Sequence, residues 1–186
     1  MNNTKRIYLA GPEVFFSREE HGAIVAEKKR ILREHGFEGV DPLDTDLTLA
    51  EHESKQDHGF RIYRANRELM DSCDAIIANL TPFRGISADP GTVFEVGYII
   101  GQGKPAFGFT LDNRNYRERA GSNPKDPLGY MIEDFELGDN LMIDCGIAES
   151  GGQIFAVQAG AEHSYFSSDV FQCCVEALKA ASLKLM

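Results

Sequence analysis

Asp74–Thr110, DAIIANLTPFRGISADPGTVFEVGYIIGQGKPAFGFT, decides the fold of this chain. Its opening, DAIIANL, is an apolar run of strand length, the pattern of a strand covered on both faces. A loop rich in Pro, Gly and Ser follows. Asp89-Pro90 then reads as a helix start, with Asp as N-cap and Pro at the first helical position. The helix runs to about Gly101, where Gly101 and Gly103 stop it. A second apolar run, PAFGFT, ends at Thr110. Strand, loop, helix and strand together make a parallel βαβ unit. Glu95 does not fit its surroundings. It sits among Val93, Phe94, Val96 and Gly97, where the helix heads into the core, and a carboxylate there is costly to bury without partners. Glu95 is the first candidate for chemistry, and Asp89 is a second carboxylate at the mouth of the same unit.

The pattern repeats on either side. RIYLAG (6–11) reads as a first strand ending at a glycine, with a short turn from Pro12 to Phe16 after it. Residues 18–35 read as a helix with Ile24, Val25, Ile31 and Leu32 on one face and EKKR on the other. FEGVDPLD gives a short strand and a loop, where Asp41, Asp44 and Asp46 read as solvated turn acids. Residues 47–56 read as a surface loop or frayed helix, and about 57–72 as a helix with Ile62, Tyr63, Leu69 and Met70 inward. Asn66 points the same way, and an amide on a buried face needs a hydrogen-bond partner or a ligand. Residues 111–130 are a long polar loop of the kind that carries function. GQIFAVQ reads as a short edge strand, and 168–183 as a closing helix with Val170, Phe171, Cys174, Val175 and Leu178 inward.

Strands thus alternate with helices throughout. The expected fold class is α/β: a doubly wound, parallel, five-stranded sheet in a single domain over residues 1–186. In such sheets ligands bind beyond the carboxyl ends of the strands. The loops Gly11–Phe16, Asp41–Asp46, Leu80–Asp89 and Thr110 onward all lie there. GxGxxG and GxxxxGK[ST] are both missing from the sequence, which argues against a dinucleotide or P-loop site.

Composition excludes several classes. A formal net charge of −10 over 186 residues argues against nucleic acid as a partner, because a phosphate backbone calls for clustered Lys and Arg. Apolar runs all fall short of the roughly 20 residues that span a bilayer. MNNTKR leads straight into a strand, so no signal peptide is expected. Cys73, Cys145, Cys173 and Cys174 form no CxxC. Adjacent Cys173 and Cys174 read as buried thiols, and the setting as reducing and cytoplasmic. The five histidines form no metal pattern and read mostly as solvated, so no metal site is expected.

Taken together, IYLAGPEVF, RANRELMDSCDAIIANLTPFRG, DPGTVFEVGYIIGQGK and DNLM resemble the nucleoside 2-deoxyribosyltransferase family over about residues 6–145. The loop TPFRG followed by D-x-G-T-x-F-E-x-G is the most specific part. The resemblance implies a flavodoxin-like fold and transfer of 2-deoxyribose between nucleobases without a cofactor. It implies Glu95 as nucleophile, Asp89 as the acid that holds the sugar 5′-hydroxyl, and Tyr8 as the residue that orients the nucleophile. Asn66 and Asp46 match base-contacting positions, and Phe15 and Gly85 fall in the same matched blocks as substrate-binding residues. Asn140 matches an asparagine that family members insert into a neighbouring subunit's site, which implies a homo-oligomer, dimer or higher. The implied partners are 2′-deoxynucleosides and free nucleobases. Two other readings stay open: a deoxynucleoside or deoxynucleotide N-glycosidase of the same superfamily, and a nucleotide-sensing binding module without catalysis.

Overall fold

The computed structural model describes residues 4–45, 52–157 and 165–184. Among them five strands form one sheet: β1 (Arg6–Ala10), β2 (Glu38–Val40), β3 (Ala75–Asn79), β4 (Ala106–Thr110) and β5 (Ile154–Ala156). All pairings are parallel, in the order β2-β1-β3-β4-β5. This is the flavodoxin-like order, and its switch point lies between β1 and β3. The α/β fold expected from the sequence is therefore the one observed. Among the described residues six α-helices accompany the sheet: α1 (Arg18–Glu34), α2 (Lys55–Asp71), α3 (Pro90–Gly101), α4 (Tyr116–Ala120), α5 (Leu141–Glu149) and α6 (Ser168–Lys184). Among the described residues no helix is long and apolar enough to cross a membrane.

The strand period of two divides the core. Ile7, Leu9, Ile77, Phe107 and Phe109 face one side, where Ile31, Leu32, Phe171, Val175 and Leu178 of α1 and α6 cover them. Tyr8, Ala10, Ile76, Ala78 and Ala106 face the other side, against Met70, Val96, Ile99, Ile143 and Ile147 of α2, α3 and α5. Tyr8 is therefore aimed at α3 by its place in the strand.

Several expectations are corrected. Lys28, placed on the polar face of α1, is only 3% exposed. Its ammonium lies over the rings of Phe109, Phe166 and Phe171, 5.5 to 5.8 Å from their centroids, and meets Glu13 Oε1 at 2.6 Å. A long cation reaches a buried carboxylate that helical periodicity cannot see. Asp41 and His21 are not solvated. The His21 ring lies 3.0 Å from Asp41 Oδ2 and 3.1 Å from the Glu13 carbonyl oxygen. Tyr63 and Phe94 are exposed rather than inward, and Cys173 is exposed while Cys174 is buried. The long loop carries the short helix α4, capped by Asn115 through the backbone N–H of Glu118, and DNLM opens α5.

Candidate active site

The site is built where β1 and β3 end. Asp89 caps α3, and its Oδ2 accepts the backbone N–H groups of Gly91 and Thr92 at 2.9 and 3.2 Å. With Pro90 next, this is the helix start read from the sequence. The cap fixes the register of α3, so that Glu95 turns back toward the sheet. There the Tyr8 hydroxyl, fully buried in β1, donates to Glu95 Oε1 at 2.8 Å.

The electrostatics follow from this placement. Burial pushes the Glu95 carboxyl up to about 7. The Tyr8 hydrogen bond pulls it down, and the charges of Asp89 and Asp41 push it up again. Tyr8 itself is raised far above the ordinary phenol range, first by burial and then by Glu95, so it stays a neutral donor. A carboxylate poised near neutrality and held by a fixed donor suits a nucleophile or a general base.

The rim is aromatic. Phe15, in the turn after β1, stacks on Phe83 of the loop after β3, with centroids 5.5 Å apart and ring planes 8° apart. The Arg84 guanidinium lies over both rings, 4.6 Å from Phe15 and 4.7 Å from Phe83. Arg84 reaches them from the left-handed region, φ 57°, and exposed Gly85 follows it. Phe15 and Gly85 are thus brought to one edge.

Asn66 of α2 keeps its Oδ1 buried without a hydrogen-bond partner. A buried acceptor left unpaired is costly, and a ligand donor would satisfy it. No direct contact joins Asn66 to Glu95 or Tyr8 among the hydrogen bonds of the described residues. Asn140 caps α5, its Oδ1 accepting the Met142 N–H at 3.0 Å and its Nδ2 donating to Glu133 at 3.0 Å. Within one chain its amide is therefore engaged locally. Asp46 lies outside the described residues.

Sequence reasoning missed a buried cluster beside the site. Glu13 Oε1 accepts from Lys28 Nζ and from Asn79 Nδ2, at 2.6 and 2.9 Å, and Asn79 Nδ2 also donates to the Tyr165 carbonyl. Gly11 is required by this cluster. A Cβ there would lie 1.9 Å from Glu13 Oε2 and 2.9 Å from Asn79 Cβ. The signal in the sequence was a lone glutamate inside the apolar stretch AGPEVF. Among the described residues no group of three or more His, Cys, Asp or Glu side chains is arranged to hold a metal ion. A cavity of about 760 Å³ opens at the opposite, amino ends of the strands, lined by Lys5, Asp74, Pro105 and Gln153. It holds no counterpart of the Tyr8–Glu95 pair.

The model of the family described as Nucleoside 2-deoxyribosyltransferase matches residues 7–142, a span that includes Tyr8, Asp89, Glu95 and Asn140. The chain belongs to the nucleoside 2-deoxyribosyltransferase family. A 2-desoxiribosyltransferase from Leishmania mexicana has a similar structure, with a TM-score of 0.67 and 28% identity over 92% of this chain and 97% of that one. A conserved protein from Enterococcus faecalis shares the fold, with a TM-score of 0.57 and 18% identity over 94% of this chain and 98% of that one. An uncharacterized protein of Schizosaccharomyces pombe is 40% identical over 128 residues, 68% of this chain. The match spans 60% of the length of that relative.

Proposed function

We propose that this deoxyribosyltransferase-family enzyme moves 2-deoxyribose from one nucleobase to another through a covalent ester on Glu95, with retention of configuration. The observation that carries the proposal is the Tyr8–Glu95 hydrogen bond of 2.8 Å, which joins a half-buried carboxylate to a fully buried donor.

A retaining transfer needs a carboxylate on the face of the sugar opposite the base. Glu95 attacks C1′, the C1′–N bond breaks, and its electron pair leaves with the base, which takes up a proton. A second base then attacks C1′ from the original side and gives up its N–H proton, the ester bond breaks, and the Glu95 carboxylate is restored. The 2-deoxy sugar lacks an electron-withdrawing 2-hydroxyl, so the oxocarbenium-like transition state is easier to reach. Tyr8 orients Glu95 and favours its charged form. Asp89 is buried at the helix cap with Oδ2 held by backbone N–H groups, a placement that suits accepting a hydrogen bond from a 5′-hydroxyl. A carboxylate there would repel a 5′-phosphate, so nucleosides rather than nucleotides are the substrates. Asn66 offers its unpartnered Oδ1 to a donor on the base.

The working form is a homo-oligomer in which Asn140 of one subunit completes the site of another. What supports this is a cavity of about 500 Å³ between α3 and α5, lined by Pro90, Val93, Gly97, Asn140 and Met142. Met142 on its edge is 75% exposed, and Phe94 on α3 is exposed as well.

The test is incubation with a 2-fluoro-2-deoxynucleoside followed by peptide mass mapping. A sugar adduct on the peptide holding Glu95 is expected, and an adduct elsewhere refutes the assignment. Deoxyinosine incubated with adenine separates transfer from hydrolysis. Transfer yields deoxyadenosine, whereas hydrolysis through the same ester yields hypoxanthine and free sugar whether or not adenine is present.

A further inference from the structure

The long polar loop after β4 carries a cation that is buried at a junction. The Arg119 side chain, on α4, is 4% exposed. Its Nε donates to the carbonyl oxygen of Ile86 at 2.7 Å, Nη1 to that of Arg114 at 2.6 Å, and Nη2 to that of Gly138 at 2.5 Å. Nη2 also lies 3.5 Å from Asp139 Oδ2. Asp139 is buried too, and it takes up the residues on either side. Its carboxylate accepts the Ser87 hydroxyl, the Ala88 N–H at 2.9 Å and the Asn140 N–H at 2.8 Å.

The pair therefore holds Ile86, Ser87 and Ala88, the three residues that lead into Asp89. It also holds Gly138 and Asn140, on the segment that leads into α5. Asp144 closes the arrangement from below, accepting the N–H groups of Gly138 and Asp139 at 3.0 and 2.9 Å. Only a guanidinium can serve these acceptors together, because its donors form a rigid planar fork. A lysine supplies a point charge and cannot reach three carbonyls in those directions.

We infer that Arg119 and Asp139 are positioning residues that fix Asp89 and Asn140 relative to each other, so that the group holding the sugar 5′-hydroxyl and the residue offered to a neighbouring site move as one. The inference rests on the roles given to Asp89 and Asn140 above. It gives the long loop a function in substrate selection at the 5′ position: the guanidinium clamps the loop that presents Asp89, although it lies outside the reacting centre.

The experiment uses the full chain and two measurements. Hydrogen–deuterium exchange by mass spectrometry compares wild type with R119Q, without substrate. Peptides covering 86–92 and 138–142 are expected to lose protection together, while peptides of α6 are unchanged. Kinetics then compare a 2′-deoxynucleoside with its 2′,5′-dideoxy analogue. For R119Q, kcat/KM on the 5′-hydroxy substrate is expected to fall on the order of 10- to 100-fold, as for a misplaced binding group. On the 5′-deoxy analogue it changes much less, so the preference for the 5′-hydroxyl is compressed. Equal losses on both substrates in a folded variant, or protection unchanged at 86–92, overturn the inference. If R119Q does not fold, S87A decides the matter, because it removes one arm of the Asp139 hub and leaves the charge pair intact. It should compress the same ratio to a smaller extent, and an unchanged ratio refutes the role. A wild type inactive on every nucleoside would refute the proposed function, while the exchange data would still show whether the two segments are tied.

Discussion

The Tyr8 hydroxyl and Glu95 Oε1 are 2.8 Å apart across 87 positions of sequence, which ties the carboxylate of α3 to the middle of β1. Burial raises the proton affinity of Glu95 and this bond, by favouring the ionised carboxylate, lowers it, so together they set the pH at which Glu95 becomes a nucleophile. Wild-type kcat/KM should rise with pH through about 7, where burial has placed the Glu95 carboxyl. Y8F removes the one contribution that lowers that value among the large ones, so the rising limb should move to higher pH. The loss of activity is then greater at about pH 6 than at about pH 8.5. A profile that keeps its midpoint in Y8F would contradict the role given to Tyr8.

The same shift has a cost in stability. A carboxyl raised to about 7 in the folded chain binds its proton more tightly than in the unfolded chain, where it titrates near 4.5. Stability should fall as pH rises from about 4.5 to about 7 and level off above that. E95Q keeps an acceptor for Tyr8 and removes the charge. It should be inactive, yet more stable than wild type at pH 8 by on the order of 2 kcal/mol, after discount for partial exposure. The gain should vanish below about pH 4.5. Thermal melts of the two proteins across this pH range check both signs.

Asn66 offers a second separation of function from stability. Its Oδ1 is buried and unpartnered, so N66A loses no hydrogen bond at that atom and relieves a desolvated acceptor. The melting temperature should stay within a few degrees or rise. Activity should drop by roughly tenfold, the worth of about 1.4 kcal/mol in the transition state. A large fall in stability with activity per folded molecule unchanged would mark Asn66 as structural.

Lys28 and Glu13 form a buried ion pair, and breaking such a pair from one side strands a charge. K28M should cost about 3–5 kcal/mol in urea denaturation, because Glu13 keeps only Asn79 among these partners. The double variant E13Q/K28M should recover a large part of that loss. A K28M protein as stable as wild type would show that the pair contributes nothing.

Oligomer formation should respond to the edge of the α3–α5 cavity. M142E places a charge on an exposed apolar residue beside Asn140, and should reduce the assembled species in light scattering and reduce activity with it. An active, monodisperse wild-type monomer would rule out a shared site.

Much of this was legible without coordinates. The cap at Asp89-Pro90, the apolar runs of β3 and β4 and the anomaly of Glu95 are local signals, carried by residues a few positions apart. The capping Asn140 and the helix after it were weaker signals, since DNLMIDCG shows only three apolar residues in a row and no full turn of periodicity. Lys28, Glu13, His21 and Asp41 were misread or passed over for another reason. Each is polar, and polar residues are taken as solvated unless a partner is known. Their partners lie 15 to 20 positions away and meet them only once β1, β2 and α1 have packed.

The sequence by itself determined the alternation of strands and helices, the parallel sheet, the family and the identity of the one carboxylate out of place. Periodicity and capping are near-neighbour physics, and they survive without a third dimension. The tertiary structure alone decided which donor Glu95 meets, how its proton affinity is set, and that a cation in a long polar loop is spent holding the approach to Asp89. Those depend on desolvation and on distances between atoms far apart in the chain, quantities that exist only after the core has closed.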